Sequence, residues 1–295
     1  TGKLSKEVAD ITGLPEGIPV VAGGGDQAAG GVGCGIVRTG VISSTVGTSG
    51  VVFAFADDVS LDPEGRVHTF CHAVPGKWHV MGVVLSAGGS LRWYRDAVCN
   101  EEKTRAAETG RDPYEYITEA ASGVPLGSEG LLFLPYLTGE RTPHKDPYAK
   151  GAFVGLSLRH EKPHMARAVL EGVAFAMRDS LEIIREMGVP IEQVRASGGG
   201  AKSAFWRQVQ ADVNAAPLAT INVDEGPAYG AAILATVATG LYDSVEDACD
   251  AIIDVVDTCE PVAANTREYD KWLAEYQKAY TALAPGFRRV ADLVS

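Results

Sequence analysis

Three glycine-rich turns constrain this chain more than any other feature: "GGGD" at Gly23–Asp26, "GTSG" at Gly47–Gly50 and "GGGAKS" at Gly198–Ser203. Each follows an apolar run ("IPVV", "VISSTV", "VRAS") short enough to be a strand. Glycine permits close backbone approach and positive φ, and it weakens regular structure. Glycine makes up 34 of 295 residues, above the usual share of about 7%, and the excess falls in such clusters, Gly88–Gly89 among them. A chain built this way brings backbone close to something at several strand ends.

The pattern between the turns alternates strand and helix. "IPVVAGG" reads as a buried strand ending in a turn, and "QAAGGVGCG" as a short helix of small residues. "GVISSTVGTSGVVFAFAD" reads as two strands joined at "GTSG". "KWHVMGVVLS" is a further strand, "AGGSLRWYRDAV" a helix, and residues 100–127 helix and surface loop. "GLLFLPYLTGERTPHKDPYAKGAFVGLSL" reads as strand, polar loop, strand. From His164 to Met187 apolar residues recur at three and four, which predicts one long amphipathic helix with Pro163 in its first turn. "VRASGGG" is a strand into a turn, "SAFWRQVQADVN" a helix, "PLATINV" a strand and "GPAYGAAILATVATG" a buried helix. "REYDKWLAEYQKAYTAL" is an amphipathic surface helix. Such alternation predicts an α/β fold, a mixed sheet with helices packed on it.

Charge and cysteine usage exclude several classes of partner. Net charge is −12, with 26 Lys and Arg against 38 Asp and Glu, and no basic cluster suits nucleic acid. No apolar run reaches the roughly 18 residues of a membrane span. Five cysteines without a CxxC pair argue against a zinc site or disulfide framework and predict a cytoplasmic protein. An acidic chain binds phosphate locally, through backbone N–H groups and a metal ion.

Asp26 can be a helix N-cap in a tight turn, or a carboxylate held at a bare backbone surface to touch a ligand. "GTSG" is either an ordinary hairpin or an anion nest. "GGGAKS" is either a packing turn or a platform at a helix N-terminus. Neither a Walker A loop nor GxGxxG is present. Glu140, Arg141 and His144 in "GERTPH" either line a cleft or form a loop with an internal ion pair. His68 and His72 have metal-ligand spacing, but their β-forming neighbours favour a strand. Cys71 reads as buried, Trp78, Trp93 and Trp206 as core, and Glu171 and Asp179 as a solvated helix face. Phosphoryl transfer asks of a protein an aligned hydroxyl, a carboxylate to take its proton, and donors for phosphate. Asp26 beside two glycine turns meets that requirement.

The segments "VVAGGGDQAAGGVG", "STVGTSGVVF", "VHTFCHAVPGKWHVMGVVLSA", "FLPYLTGERTPH", "GAFVGLSLRHEKPHMARAVLEGV", "GGGAKSAFWRQVQADV" and "GPAYGAAILA" resemble, in order, the carbohydrate kinases named after the FGGY motif. Within that family they are most similar to the C-terminal half of the bacterial xylulokinases. The resemblance implies an actin-like ATPase (ribonuclease H-like) lobe spanning residues 1–295. It implies ATP-dependent phosphorylation of D-xylulose to D-xylulose 5-phosphate, with ATP and Mg2+. By the same resemblance Asp26 is the general base and Gln27 a sugar contact. Gly47, Thr48 and Ser49 form the phosphate loop, and Gly198, Gly199, Gly200 and Ser203 form the adenosine platform. No protein-held metal site is implied in this lobe. Ribulose, gluconate and glycerol kinases of the family, or a non-catalytic nucleotide-binding module, are the alternatives.

The chain begins "TGKLSKEV", without methionine, where a second lobe of such a kinase would begin. The expectation is a lobe whose N-terminal partner is missing, inactive alone, with an exposed apolar face that favours self-association as a homodimer.

Overall fold

The computed structural model describes residues 2–223 and 226–294. Strands β1 (Gly2–Lys3) and β2 (Pro19–Val20) pair antiparallel around helix α1 (Lys6–Thr12). "IPVVAGG" is therefore no buried strand: β2 is two residues long and exposed, and it stands outside the main sheet. After it come α2 (Asp26–Gly33), β3 (Gly40–Val46), β4 (Gly50–Ala56), β5 (His68–Cys71), β6 (Trp78–Val84), α3 (Gly88–Val98), α4 (Asn100–Thr109) and α5 (Pro113–Ser122). Strands β7 (Leu132–Leu134) and β8 (Ala152–Val154) form a second small antiparallel pair, followed by α6 (Lys162–Glu186) and β9 (Ile191–Ser197). The chain ends with α7 (Ala204–Asn214), β10 (Leu218–Ile221), α8 (Gly226–Ala238), α9 (Val245–Ile252), β11 (Val255–Cys259) and α10 (Ala263–Val294).

The main sheet has seven strands in the order β11-β10-β9-β3-β4-β6-β5. Strands β10, β9 and β3 run parallel, and β4 is antiparallel to both β3 and β6, so β6 points the same way as β3. The carboxyl ends of β3, β6 and β9 therefore open on one edge of the sheet.

Both faces of the sheet are covered. Val52 and Ala54 of β4 pack into a core shared with α3, α6 and α7. Their neighbours Phe53 and Phe55 pack with Val32, Ile233 and Ala248 from α2, α8 and α9. That is the period-two alternation of a strand with two covered faces. Helix α6 begins with a capping box between Glu161 and His164 and carries a proline in its first turn. It is buried on nearly every side, because it lies between the sheet and helices α3, α5, α7 and α10.

Four burial expectations are overturned. Glu171 and Asp179 are buried, not solvated. Glu171 Oε1 accepts from Arg167 Nε at 2.6 Å, Tyr269 Oη at 2.9 Å and the Gly127 N–H at 3.1 Å. Asp179 Oδ1 accepts from Gln277 Nε2 at 2.7 Å. Cys71 is exposed, since β5 is the sheet's edge. Helix α8 buries only Gly230 and Ile233, because one narrow face meets α2 and the rest is partly or fully exposed. Trp93 is 39% exposed and stacks on Phe133.

Candidate functional site

The "GTSG" and "GGGAKS" turns leave neighbouring parallel strands at the same level, since Thr45 of β3 stands opposite Ser197 of β9. The third parallel strand, β6, delivers Gly88–Gly89 to the same place at the start of α3. The three turns touch backbone to backbone. The Gly88 N–H donates to the Gly47 carbonyl at 2.8 Å, and the Gly89 N–H to the Thr48 carbonyl at 2.9 Å. A Cβ at Gly88 would lie 2.3 Å from the Gly47 oxygen, and one at Gly200 2.5 Å from the Val46 Cβ. Gly198, at φ +77°, turns the chain out of β9.

These turns floor a cavity of about 480 Å³. Of the predicted nucleotide residues, Gly47, Thr48, Gly199, Gly200 and Ser203 line it, while Ser49 and Gly198 do not. "GTSG" is at once a hairpin and a cavity wall: the Gly47 N–H donates back to Ser49 O at 3.0 Å. Ser203 caps α7, its Oγ accepting from the Trp206 N–H at 3.3 Å.

Sequence reading missed the far wall. Arg92 of α3, Lys202, and Asp112, Tyr114, Glu115 and Thr118 at α5 also line the cavity. Gly88–Gly89 carried the same signal as the predicted turns, glycines ending an apolar run. The α5 residues carried none, since only packing brings that helix here. Trp206, read as core, is buried and yet lines the cavity, with Nε1 donating to Leu170 O at 3.1 Å. The cavity is polarised. Cations stand beside the glycine turns (Arg92, Lys202), and carboxylates stand at α5, where Arg111 pairs with Glu115 at 2.8 Å and with Glu119.

Asp26 and Gln27 do not line this cavity. Gly25 is the N-cap of α2 and Asp26 its first residue, so the N-cap expectation for Asp26 is corrected. Its Oδ1 accepts from the Gln27 N–H at 2.9 Å. The run Gly23–Asp26 is exposed and Gln27 half-buried. The carboxylate thus stands exposed at the positive end of a helix, bonded to the Gln27 N–H.

In "GERTPH", Glu140 is buried and accepts from the Leu85 N–H at 3.0 Å and the Arg141 N–H at 2.7 Å. It holds the backbone just ahead of Gly88. Burial pushes its carboxyl up to about 8 and that of Asp179 to about 7. His144 stacks on Tyr280 with centroids 3.5 Å apart. His68 lies in β5, as its neighbours predicted, and His72 Nδ1 accepts from the Val74 N–H at 3.0 Å. Among the described residues no group of three His, Cys, Asp or Glu is placed to hold a metal ion, and no helix is long and apolar enough to cross a membrane.

Residues 42–239 match the C-terminal domain of the FGGY family of carbohydrate kinases. The chain is 44% identical over 239 residues to a xylulose kinase of Escherichia coli, covering 81% of this chain and 47% of that protein. It is 34% identical over 293 residues to a gluconokinase of Bacillus subtilis, covering 98% and 56%. Among solved structures, the xylulose kinase of Rhodospirillum rubrum superposes with a TM-score of 0.85 at 32% identity, over 97% of this chain and 56% of that one. The chain spans about half the length of the curated relatives it matches.

Proposed function

The chain belongs to the FGGY family of carbohydrate kinases, with the actin-like ATPase fold of its structural neighbours, and we propose that residues 1–295 act as the C-terminal lobe of a xylulokinase. The parent reaction is ATP + D-xylulose → ADP + D-xylulose 5-phosphate. The observation that carries this reading is the meeting of three glycine turns on one polarised cavity.

The nucleotide lies along that cavity. Its phosphates run over Gly47 and Thr48, where Arg92 and Lys202 supply positive charge. The base lies outward, against Tyr114 and Thr118 of α5, with Gly199, Gly200 and Ser203 beside the nucleoside. Asp26 takes the proton of the sugar hydroxyl as that oxygen attacks the γ-phosphorus, and the ADP oxygen leaves in line. Gln27, next along α2, orients the sugar. Mg2+ would arrive with the nucleotide, since its ligands in such reactions come largely from phosphate and water.

One lobe offers one wall of the cleft, and rate depends on fixing both reactants. The isolated chain is therefore expected to bind nucleotide weakly and not to turn over. The test is ADP release by the full two-lobe protein with D-xylulose, D-ribulose, D-gluconate and glycerol. D-Xylulose should give the highest kcat/KM. D-Gluconate in first place would favour the second reading, a gluconokinase, which the 34% identity to a gluconokinase supports. No turnover with any sugar would leave a nucleotide-binding module.

A further inference from the structure

Helices α2 and α8 cross with backbone against backbone. A Cβ at Gly230 would lie 1.8 Å from the Ala29 carbonyl oxygen, and one at Gly33 would lie 1.9 Å from the Gly226 carbonyl oxygen. On the sheet side of α2, a Cβ at Gly31 would lie 2.5 Å from the Phe53 ring. Helix α2 is thus gripped between α8 and β4, with no space for a methyl group at three points. The residues ahead of it are held more lightly, with one close approach where a Cβ at Gly24 would lie 3.0 Å from the Ala73 Cβ. Among the described residues, Ala22–Gly25 makes no backbone hydrogen bond except from the Ala29 N–H to the Gly25 carbonyl, which belongs to the helix itself. The position of Asp26 at the head of α2 is therefore set by what clasps α2 from its two sides.

We propose that Gly230 is a positioning residue for the Asp26 carboxylate. Its bare backbone lets α2 seat at the depth from which that carboxylate reaches the sugar hydroxyl. The inference rests on the reading of Asp26 as general base. A methyl at residue 230 falls more than 1 Å short of ordinary contact with a carbonyl that cannot swing aside, so α2 must move. A misplacement of about 1 Å at a reacting group can cost about a hundredfold in rate. The cavity proposed for the nucleotide draws no lining residue from α2 or α8. A shift of α2 should therefore lower kcat and leave the KM for ATP in place, a split that a general loss of fold would not produce.

The experiment compares Gly230→Ala, Gly33→Ala, Gly30→Ala and Asp26→Asn in the full two-lobe kinase containing this chain. It reads kcat, the KM for ATP, ADP binding and thermal melting. Gly30→Ala is the control, since its Cβ would meet Pro227 Cγ at an ordinary 3.6 Å, and it should keep wild-type kcat. Gly230→Ala, or Gly33→Ala where the first does not fold, should lose about a hundredfold in kcat with the KM for ATP and ADP binding retained. A folded Gly230→Ala protein with wild-type kcat would overturn the inference and leave the base assignment standing. Loss of ADP binding along with kcat in both variants would make these glycines merely structural and overturn it equally. An active Asp26→Asn protein would remove the base assignment first and the positioning role with it.

Discussion

The hydroxyls of Thr45 and Ser197 lie 2.8 Å apart, joining the ends of β3 and β9 directly below the two glycine turns. The spacing of those turns is therefore fixed by the sheet and not by the loops. What the turns can hold depends on that spacing.

A first prediction follows for Gly200. Its Cβ position lies 2.5 Å from the Val46 Cβ, and overpacking of this kind costs about 1–3 kcal/mol. If half of that cost falls on the bound state, Gly200→Ala weakens ADP binding by about tenfold or less. Calorimetric titration of the chain with ADP checks this, and an unchanged affinity would separate the platform from the nucleotide.

Trp206 supplies a reporter. It is buried and lines the cavity, so ADP should alter its emission. Trp206→Phe should abolish the change, whereas Trp93→Phe, on the surface, should preserve it.

The buried ion pair of Arg167 and Glu171 predicts a stability effect. Removing one partner of such a pair typically costs about 3–5 kcal/mol, because the other charge is left buried alone. Glu171→Ala should therefore lower the denaturation midpoint by far more than the apolar double variant Arg167→Met with Glu171→Leu. Equal losses would show that packing, not the uncompensated charge, dominates.

Stability should also depend on pH in a defined direction. Burial raises Glu140 to about 8 and Asp179 to about 7, so the folded chain holds protons that the unfolded chain gives up near pH 4. Their contribution is complete below that pH and is lost as pH rises through about 7 and 8. Burial lowers His72, His79 and His144 from 6.5 to about 4. Their contribution is complete above pH 6.5 and is lost as pH falls toward 4. The two sets oppose one another below pH 6.5, and above it only the carboxyls titrate. The melting temperature should fall between about pH 6.5 and 8, and Glu140→Gln should flatten that slope. A melting temperature that rises over this window would contradict the burial of these acids.

Much of this was legible in the sequence, for local reasons. The hairpin at "GTSG", the strand before "GGGAKS" and the Ser203 cap follow from residues within a few positions of one another. Two of the three predicted turns converge, as α/β alternation predicted for a sheet with ligands at its strand ends, whereas Gly23–Asp26 follows a two-residue strand outside the main sheet and does not line the cavity. What escaped depends on packing between distant segments. Tyr114 and Thr118 reach the cavity because α5 packs against α6 and α7. Asp179 looks solvated in sequence, yet α10 returns from about a hundred residues on to place Gln277 upon it. Helix α8 looks buried by composition. Its small residues instead allow close contact with α2 along one narrow face.

The most direct measurement is the turnover of the full two-lobe protein with Asp26→Asn. The amide keeps the size of the carboxylate and cannot accept the proton. In this variant kcat should fall by about 10²–10⁴ while the KM for ATP and the melting temperature hold. A wild-type kcat in that variant would contradict the assignment of Asp26 as the base.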